Sequence, residues 1–223
     1  MRILEQRQAL ERERVRISED MHDEVGASLT EIAILSELAK KSLDKPGEAG
    51  THVQQISDRA AEVIDNIGEI IWAINPKNDS LDNVVAHIRH HTVQYLKLTP
   101  MKCTFVVPDG IPSFHLSAEV RRNLFLVVKE AIHNIVKHSR ALEVSITISI
   151  TGGTLEILIE DNGKGFTVGK RLQSGDGLEN MDKRIADIGG TFRVESAPGD
   201  GTRVAIEVPM PSQQSPQLPN SKY

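Results

Sequence analysis

The sequence is poor in cysteine, in aromatic residues and in long apolar runs. Cys103 is the single cysteine among 223 residues, which excludes an intrachain disulfide and a zinc site built from several cysteines. No run approaches the ~20 consecutive apolar residues that a helix needs to span a bilayer. Basic residues are not in excess, since 26 Lys and Arg stand against 31 Asp and Glu. A net charge of −5 argues against a broad nucleic-acid or anionic-membrane surface, and we expect a soluble chain.

The first third of the sequence has the period of long amphipathic helices. Residues 1–43 contain no proline and one glycine, Gly26. In this stretch, and again over residues 53–74, apolar residues recur at steps of three, four or seven, which is the spacing of one helix face. The turn DKPGEAG at 44–50 separates the two stretches. We predict a helical hairpin over residues 1–78, two copies of which bury their apolar faces as a four-helix bundle in a homodimer.

A different pattern follows Pro76, which ends the second helix because a proline cannot continue the hydrogen-bond ladder. A short helix over residues 81–97 precedes the strand-like CTFVV, and Ser117 can cap a further helix. Alternating apolar residues flank the pair Gly152 and Gly153, which is a hairpin signal. Two more strand-like runs, TFRVES and TRVAIEV, flank the turn APGDG.

These elements predict the fold class, which is α plus α+β. The second unit, residues 79–210, is expected to be an α/β sandwich with one mixed sheet and helices on one face. The end of the chain, residues 211–223, has too little apolar content to pack, and we expect it to be disordered.

Several polar residues of the second unit have the chemistry of a nucleotide site. Glu130 and Asn134 are four residues apart and share one helix face, with Lys137 and His138 a turn further on. A carboxylate, an amide oxygen and cations suit a magnesium ion with phosphates, although a solvated polar helix face has the same composition. Asp161 ends a strand and is followed by glycines, as in a ligand loop or in an ordinary turn.

Glycines also precede a short amphipathic helix in SGDGLENMDKRIADIGG, where backbone amides at the helix start can bind an anion. The phosphate-loop motif GxxxxGK[ST] is absent from the sequence. The order of these motifs, from Glu130 and Asn134 through Asp161 to Gly201-Thr202, resembles the ATP-binding domain shared by sensor histidine kinases and gyrase-type ATPases.

This resemblance implies ATP and Mg²⁺ as cofactors. Asn134 would bind the metal with support from Glu130, Lys137 and His138 would face phosphates, and residues 167–174 would form a short lid. Asp161 would accept a hydrogen bond from the adenine amino group, beside Thr202. The nucleotide-binding residues that it implies are Glu130, Asn134, Lys137, His138, Asp161, Gly163, Gly165, Gly175, Gly177 and Thr202.

The first unit, ERERVRISEDMHDEVGASLTEIAILSELA, resembles the phosphotransfer hairpin of histidine kinases that pair with NarL-type response regulators. The resemblance extends from about residue 12 to residue 209. It makes His22 the phosphoacceptor and the catalytic partner of Asp23, which can fix the imidazole tautomer and stabilise the charge that develops. Gly26, one turn further along, would leave the imidazole open to ATP or to a regulator, at a cost of about 1 kcal/mol for a glycine within a helix.

The expected function is ATP-dependent autophosphorylation on His22, followed by transfer to an aspartate of a response regulator. A pseudokinase or scaffold that binds nucleotide and regulator without phosphorylating is the alternative, and an anti-sigma serine kinase is disfavoured because such kinases lack the hairpin. Ala27 stands where family members with phosphatase activity commonly have glutamine, so we expect weak phosphatase activity. We also expect a cytoplasmic chain that contacts membrane only through an N-terminal sensor region outside this sequence.

Three further histidines, His87, His90 and His91, are spaced along the helix predicted over residues 81–97. Helical spacing could bring them to a metal, but no acidic or cysteine ligand stands nearby. The sequence therefore favours a solvated helix face.

Overall fold

A computed structural model describes residues 25–168 and 176–210, with the side chains of Pro46 and Asp176 omitted. The predicted residues His22, Asp23 and Gly175, most of the predicted lid and the tail over residues 211–223 lie outside the described residues. The chain divides into two compact units, with the boundary between Asn78 and Asp79. Each unit is described by itself.

The described part of the first unit is a helical hairpin. Helix α1 covers residues 25–41, a turn covers residues 42–45, and helix α2 covers Pro46–Ile74. Proline suits the first position of α2 because the amide hydrogen it lacks would have no partner in the first turn. An ion pair joins the two helices, with 3.1 Å between Arg59 Nε and Glu31 Oε2, so the chain folds back on itself after the turn.

The hairpin leaves much of its apolar surface uncovered. Large apolar side chains on both helices are more than 40% exposed, whereas Val63 and Ile70 of α2 are buried. A hairpin of two helices cannot cover an apolar stripe on all sides, because each helix has only one neighbour. The exposed side chains are Leu29, Ile34, Leu38, Val53, Ile64, Ile71 and Ile74.

The predicted break at Pro76 is confirmed. Helix α2 ends at Ile74, and a 3₁₀ turn covers Pro76–Asn78. Ser80 then caps the next helix, since its hydroxyl accepts a hydrogen bond from the Asn83 amide at 3.3 Å.

The second unit contains three helices and five strands in the described ranges. The helices are α3 (Leu81–Leu96), α4 (Ala118–Asn134) and α5 (Asp176–Asp187). The strands are β1 (Lys102–Val106), β2 (Glu143–Thr151), β3 (Thr154–Asp161), β4 (Thr191–Ser196) and β5 (Thr202–Pro209). No helix in these ranges or in the hairpin is both long enough and apolar enough to cross a membrane.

The five strands form one mixed sheet in the order β1-β2-β3-β5-β4. Strands β1 and β2 are parallel, and the remaining pairs are antiparallel. The β2–β3 turn is the predicted hairpin: Gly152 and Gly153 have φ values of +59° and +80°, as a type I′ turn requires. Its register places Asp161, the last residue of β3, opposite Thr202, the first residue of β5.

The core lies on one face of this sheet. Alternate residues of β2 and β3, such as Ile146 and Ile157, are buried, as are Leu124 and Ile132 of α4. The other face carries exposed polar groups, including the pair Arg193 and Glu207 at 3.0 Å. The predicted α/β sandwich with helices on one face is confirmed.

Two histidines of α3, His87 and His91, differ from the solvated face that the sequence favours, whereas His90 is exposed as expected. The His87 ring lies 4.4 Å from the Phe125 ring between centroids, and the His91 ring meets Phe125 edge-on at 5.2 Å. Burial, reinforced by the charges of His91 and His90, lowers the pKa of His87 to about 4. The sequence missed this because Phe125 comes from another helix. Within the described ranges, no three metal-ligating side chains are grouped to hold a metal.

The lowered pKa predicts that acid destabilises the protein through His87. The unfolded chain binds this proton near pH 6.5 and the folded chain near pH 4, so stability rises with pH between these values. Lowering the pH from about 7 to about 4.5 should cost up to roughly 2 kcal/mol through this residue. His87→Gln should remove that part of the slope, as measured by urea unfolding across the pH range. His52→Gln, which changes a histidine of α2, is the matched control, and equal slopes in all three proteins would refute the assignment.

Candidate nucleotide-binding site

The first part of the site is the end of α4. The Ser117 hydroxyl caps the start of this helix, accepting from the Val120 amide at 3.2 Å. After Asn134 the chain widens into a π-helical turn over Ile135–Ser139, which ends at Arg140 with a left-handed φ of +57°. Such turns are rare and are often found at functional sites. This turn carries Lys137 and His138.

Glu130 and Asn134 meet on the last turns of α4. The Asn134 amide nitrogen Nδ2 donates to Glu130 Oε1 at 3.0 Å. Because the carboxylate can only accept, it fixes the orientation of the amide and leaves the Asn134 carbonyl oxygen available to a ligand. An amide oxygen beside a carboxylate is a donor set that Mg²⁺ accepts.

Asp161 lies at the other side of the site, at the end of β3. Its carboxylate is 7% exposed, and Oδ1 accepts from the Gly163 amide at 2.8 Å. The second oxygen, Oδ2, is buried and has no well-aligned hydrogen-bond donor in the described part of the chain. Burial raises the pKa of Asp161, and the Gly163 amide and Thr202 offset part of the rise. A buried acceptor of this kind is costly unless a donor reaches it.

The glycines after Asp161 permit close contacts between backbone segments. A Cβ on Gly163 would lie 2.7 Å from both the Ser139 Cβ and Asp161 Oδ1. Gly165 has a φ of +56°, and a Cβ on it would collide with the carbonyl oxygen of Ala197. The Lys164 amide donates to the Ser139 carbonyl at 2.8 Å. These contacts join the loop after β3 to the end of the π-helical turn.

A cavity of about 520 Å³ lies between these two parts of the site. The polar groups of α4 and the π-helical turn line it together with Asp161 and Thr202, and Gly177 brings the start of α5 to it. Apolar side chains cover the remaining wall. They are Ala131, Ile135, Ile159, Phe166, Leu178, Met181, Val194 and Val204.

The cavity brings together most of the residues singled out in the sequence. Gly163 contributes through its amide to Asp161 rather than as part of the wall, and Gly175 lies outside the described residues. The residues that line the cavity as predicted are Glu130, Asn134, Lys137, His138, Asp161, Gly165, Gly177 and Thr202.

The sequence reasoning missed His133, which also lines the cavity, and the apolar wall. His133 directly precedes Asn134. The one signal that it shares the helix face of Glu130 and Asn134 is its spacing of three residues from Glu130. Met181 and Leu178 belong to an amphipathic stripe that predicts a buried face but not a ligand-facing one.

The cavity fits a purine nucleotide with a metal ion. The buried Oδ2 of Asp161 matches a donor such as the amino group of adenine, and the apolar wall matches a flat ring. Glu130, Asn134, Lys137 and His138 match magnesium and phosphates. A magnesium ion that takes one or two protein ligands and fills its other positions with phosphate and water needs no cluster of carboxylates.

This fold and site define an ATP-binding domain of the type shared by histidine kinases and gyrase-type ATPases. Residues 119–212 match the family described as histidine kinase-, DNA gyrase B- and HSP90-like ATPase. Residues 13–79 match the family described as histidine kinase. The chain therefore belongs to the histidine kinases.

Similar proteins agree with this assignment. Sensor protein VraS of Staphylococcus aureus is 29% identical over 210 residues, and VraS of Staphylococcus saprophyticus is 30% identical over 209. Each alignment covers 92% of this chain, and the chain spans 58% of the length of each relative.

Two solved structures share the fold at 16% identity. The histidine kinase AdeS of Acinetobacter baumannii has a TM-score of 0.57 over 81% of this chain and 95% of its own. The histidine kinase domain of the blue-light activated kinase from Erythrobacter litoralis EL346 has a TM-score of 0.53 over 83% of this chain and 94% of its own.

The two oxygens of Asp161 make a prediction about base preference. In Asp161→Asn, the Gly163 amide still requires an acceptor, so the asparagine oxygen takes the place of Oδ1 and the asparagine nitrogen takes the place of Oδ2. That nitrogen is a hydrogen-bond donor, and it would face the adenine amino group, which is also a donor. ADP affinity should fall about tenfold or more, because a buried donor or acceptor left unmatched costs about 1–3 kcal/mol. IDP, which carries a carbonyl at the same ring position, should lose less affinity or gain some. Titration calorimetry with both nucleotides measures this, and an unchanged ADP-to-IDP ratio would contradict the assignment.

Proposed function

We propose that this chain is the catalytic core of a two-component sensor histidine kinase. It transfers the γ-phosphoryl group of ATP to His22 and then passes that group to an aspartate of a response regulator. The proposal depends on one cavity. At one side lies the buried carboxylate of Asp161, of which only one oxygen has a hydrogen-bond partner, and at the other side lies the Glu130–Asn134 pair. The family match over residues 13–79 includes His22.

The cavity residues bind and orient ATP. Asp161 Oδ2 accepts from the adenine amino group, with Thr202 beside it, and the apolar wall holds the ring. Asn134 offers its carbonyl oxygen to Mg²⁺, and Glu130 holds that amide in place. Lys137 and His138 balance phosphate charge, and the amide of Gly177 stands at the start of α5. Bound Mg²⁺ supplies neutralisation of the charge on the transferring phosphoryl group.

The roles of His22 and Asp23 rest on the sequence, because both lie outside the described residues. One imidazole nitrogen of His22 bonds to the γ-phosphorus as the bond to the oxygen bridging the β- and γ-phosphates breaks, and ADP leaves. Asp23 holds the proton on the other ring nitrogen, which keeps the attacking nitrogen unprotonated and stabilises the positive charge that develops. The regulator's aspartate then takes the phosphoryl group from His22.

The exposed apolar side chains of α1 and α2 support a homodimer. Leu29, Leu38 and Ile64 are 53%, 41% and 69% exposed, and a second hairpin would cover them as a four-helix bundle. Burial of such side chains is worth about 1.5 kcal/mol or more for each. The gain favours two copies over one.

The regulator is expected to be of the NarL type, and the reaction is expected in the cytoplasm, where ATP is available. The resemblance of the hairpin to the histidine kinases that pair with NarL-type regulators supports both expectations, and the histidine kinase match over residues 13–79 is consistent with them.

Incubation with Mg²⁺ and γ-labelled ATP tests the activity. The protein should become labelled, and the label should survive alkali and be lost in acid, as a phosphoramidate bond requires. His22→Gln should remove the label because the nucleophile is gone. His52→Gln is the matched control, since His52 is another histidine of the same hairpin and should leave labelling intact. Nucleotide binding without label in the unaltered protein would reject the kinase assignment.

Ala27 predicts a kinase with little phosphatase activity. It is exposed on α1, four residues after Asp23 in the sequence, and its methyl group cannot orient a water molecule. Ala27→Gln should therefore accelerate dephosphorylation of a purified phosphorylated regulator severalfold, with autophosphorylation unchanged. Ala27→Leu serves as the size control and should have no such effect. Equal dephosphorylation rates in all three proteins would refute this role for position 27.

A further inference from the structure

His133 occupies a place in the cavity wall that the mechanism above leaves unused. It follows Glu130 by three residues and precedes Lys137 of the π-helical turn by four, and the three side chains form one stripe of the cavity wall. All three line the cavity. A ligand whose charged groups lie along Glu130, Asn134 and Lys137 therefore also passes the imidazole.

The ring of His133 is held in place by Tyr95 of α3. The Tyr95 hydroxyl lies 3.1 Å from His133 Nδ1, and the two rings are nearly parallel, 6.2 Å apart between centroids. An exposed histidine without such a partner would rotate freely about its side-chain bonds. Here the hydroxyl engages one ring nitrogen, which leaves Nε2 as the polar atom that His133 offers to the cavity.

Tyr95 is itself supported from the interior of the unit. Its ring stacks on His91 at 6.1 Å, and His91 meets the buried Phe125 edge-on at 5.2 Å. A continuous row of rings thus runs from the core under α4 to the cavity. Although His133 is exposed, this row of rings restricts the positions that its imidazole can take.

The hydrogen bond to Tyr95 links the tautomer of the imidazole, and hence the state of Nε2, to the orientation of the phenol hydroxyl. When the phenol donates to Nδ1, the neutral imidazole carries its proton on Nε2 and is a hydrogen-bond donor there. A donor on the same stripe as Lys137 and the Glu130–Asn134 pair suits an anionic oxygen. The adenine end, at Asp161 and Thr202, instead requires an acceptor.

We propose that His133 is a further nucleotide-binding residue that donates from Nε2 to the phosphate chain, and that Tyr95 is the residue that positions it. This inference rests on the proposed ATP-binding function of the cavity. It predicts that His133 distinguishes ligands with phosphates from adenosine, which has none.

Calorimetric titration of the whole chain with adenosine, ADP and Mg²⁺-ATP tests the proposal. His133→Ala should weaken binding of ADP and ATP about tenfold, as expected for a hydrogen bond to a charged group, and leave adenosine unchanged. Tyr95→Phe should weaken ADP and ATP in the same direction by a smaller factor. In the His133→Ala background, Tyr95→Phe should have no further effect, because its only role is to position the imidazole.

Three controls separate the outcomes. His90→Ala removes an exposed histidine of α3 that does not line the cavity, and binding should stay at the level of the unaltered protein. His133→Gln places an amide near the position of Nε2 and should recover part of the affinity for ADP. Unfolding in urea shows whether a variant has merely lost stability.

An equal loss for adenosine and ADP, or no loss for either in His133→Ala, would overturn the proposal while leaving ATP binding intact. An additive effect of Tyr95→Phe on the alanine background would overturn the positioning role. Failure of the unaltered protein to bind any of the three ligands would instead reject the proposed function.

Discussion

The site depends on one hydrogen bond, from the Gly163 amide to Oδ1 of Asp161. It fixes the carboxylate so that one oxygen is satisfied by the protein while the other is buried without a partner in the described part of the chain. The cost of that buried acceptor falls when a ligand donates to it, so the same group that destabilises the empty site favours the filled one. The carboxylate can hold this position only because residue 163 has no side chain: a Cβ there would collide with Ser139.

The same loop connects the two ends of the cavity. Ser139 ends the π-helical turn that carries Lys137 and His138, and its carbonyl accepts from the Lys164 amide at 2.8 Å. Movement of the loop after β3 would therefore displace the residues assigned to phosphate. Asn162 reinforces this junction, because its side-chain oxygen accepts from the backbone amides of Leu142 and Glu143, both at 3.0 Å. The residue proposed to bind the base and the residues proposed to bind the phosphates are therefore joined by one segment of backbone.

Local chemistry was sufficient to predict most elements of the second unit. The alternation in β2 and β3, the Gly152-Gly153 turn and the cap at Ser117 are short-range signals, and the structure confirms all three. The residues of the site could be predicted because polar residues and glycines of these types follow one another in a characteristic order along the chain. The apolar wall, His133 and the buried side of His87 were missed because each depends on a neighbour from a distant segment. Periodicity marks a face as buried but does not say what covers it.

The π-helical turn over Ile135–Ser139 has a consequence for the length of the chain. A π-turn contains one residue more than the α-helical turn it replaces, so the residues of this last turn lie at other angles around the helix axis than α-helical spacing would give them. Removing one residue here would change the directions of Lys137 and His138 relative to the cavity, with both chemical groups still present. This segment should therefore tolerate exchange of residue type far better than insertion or deletion of a single residue.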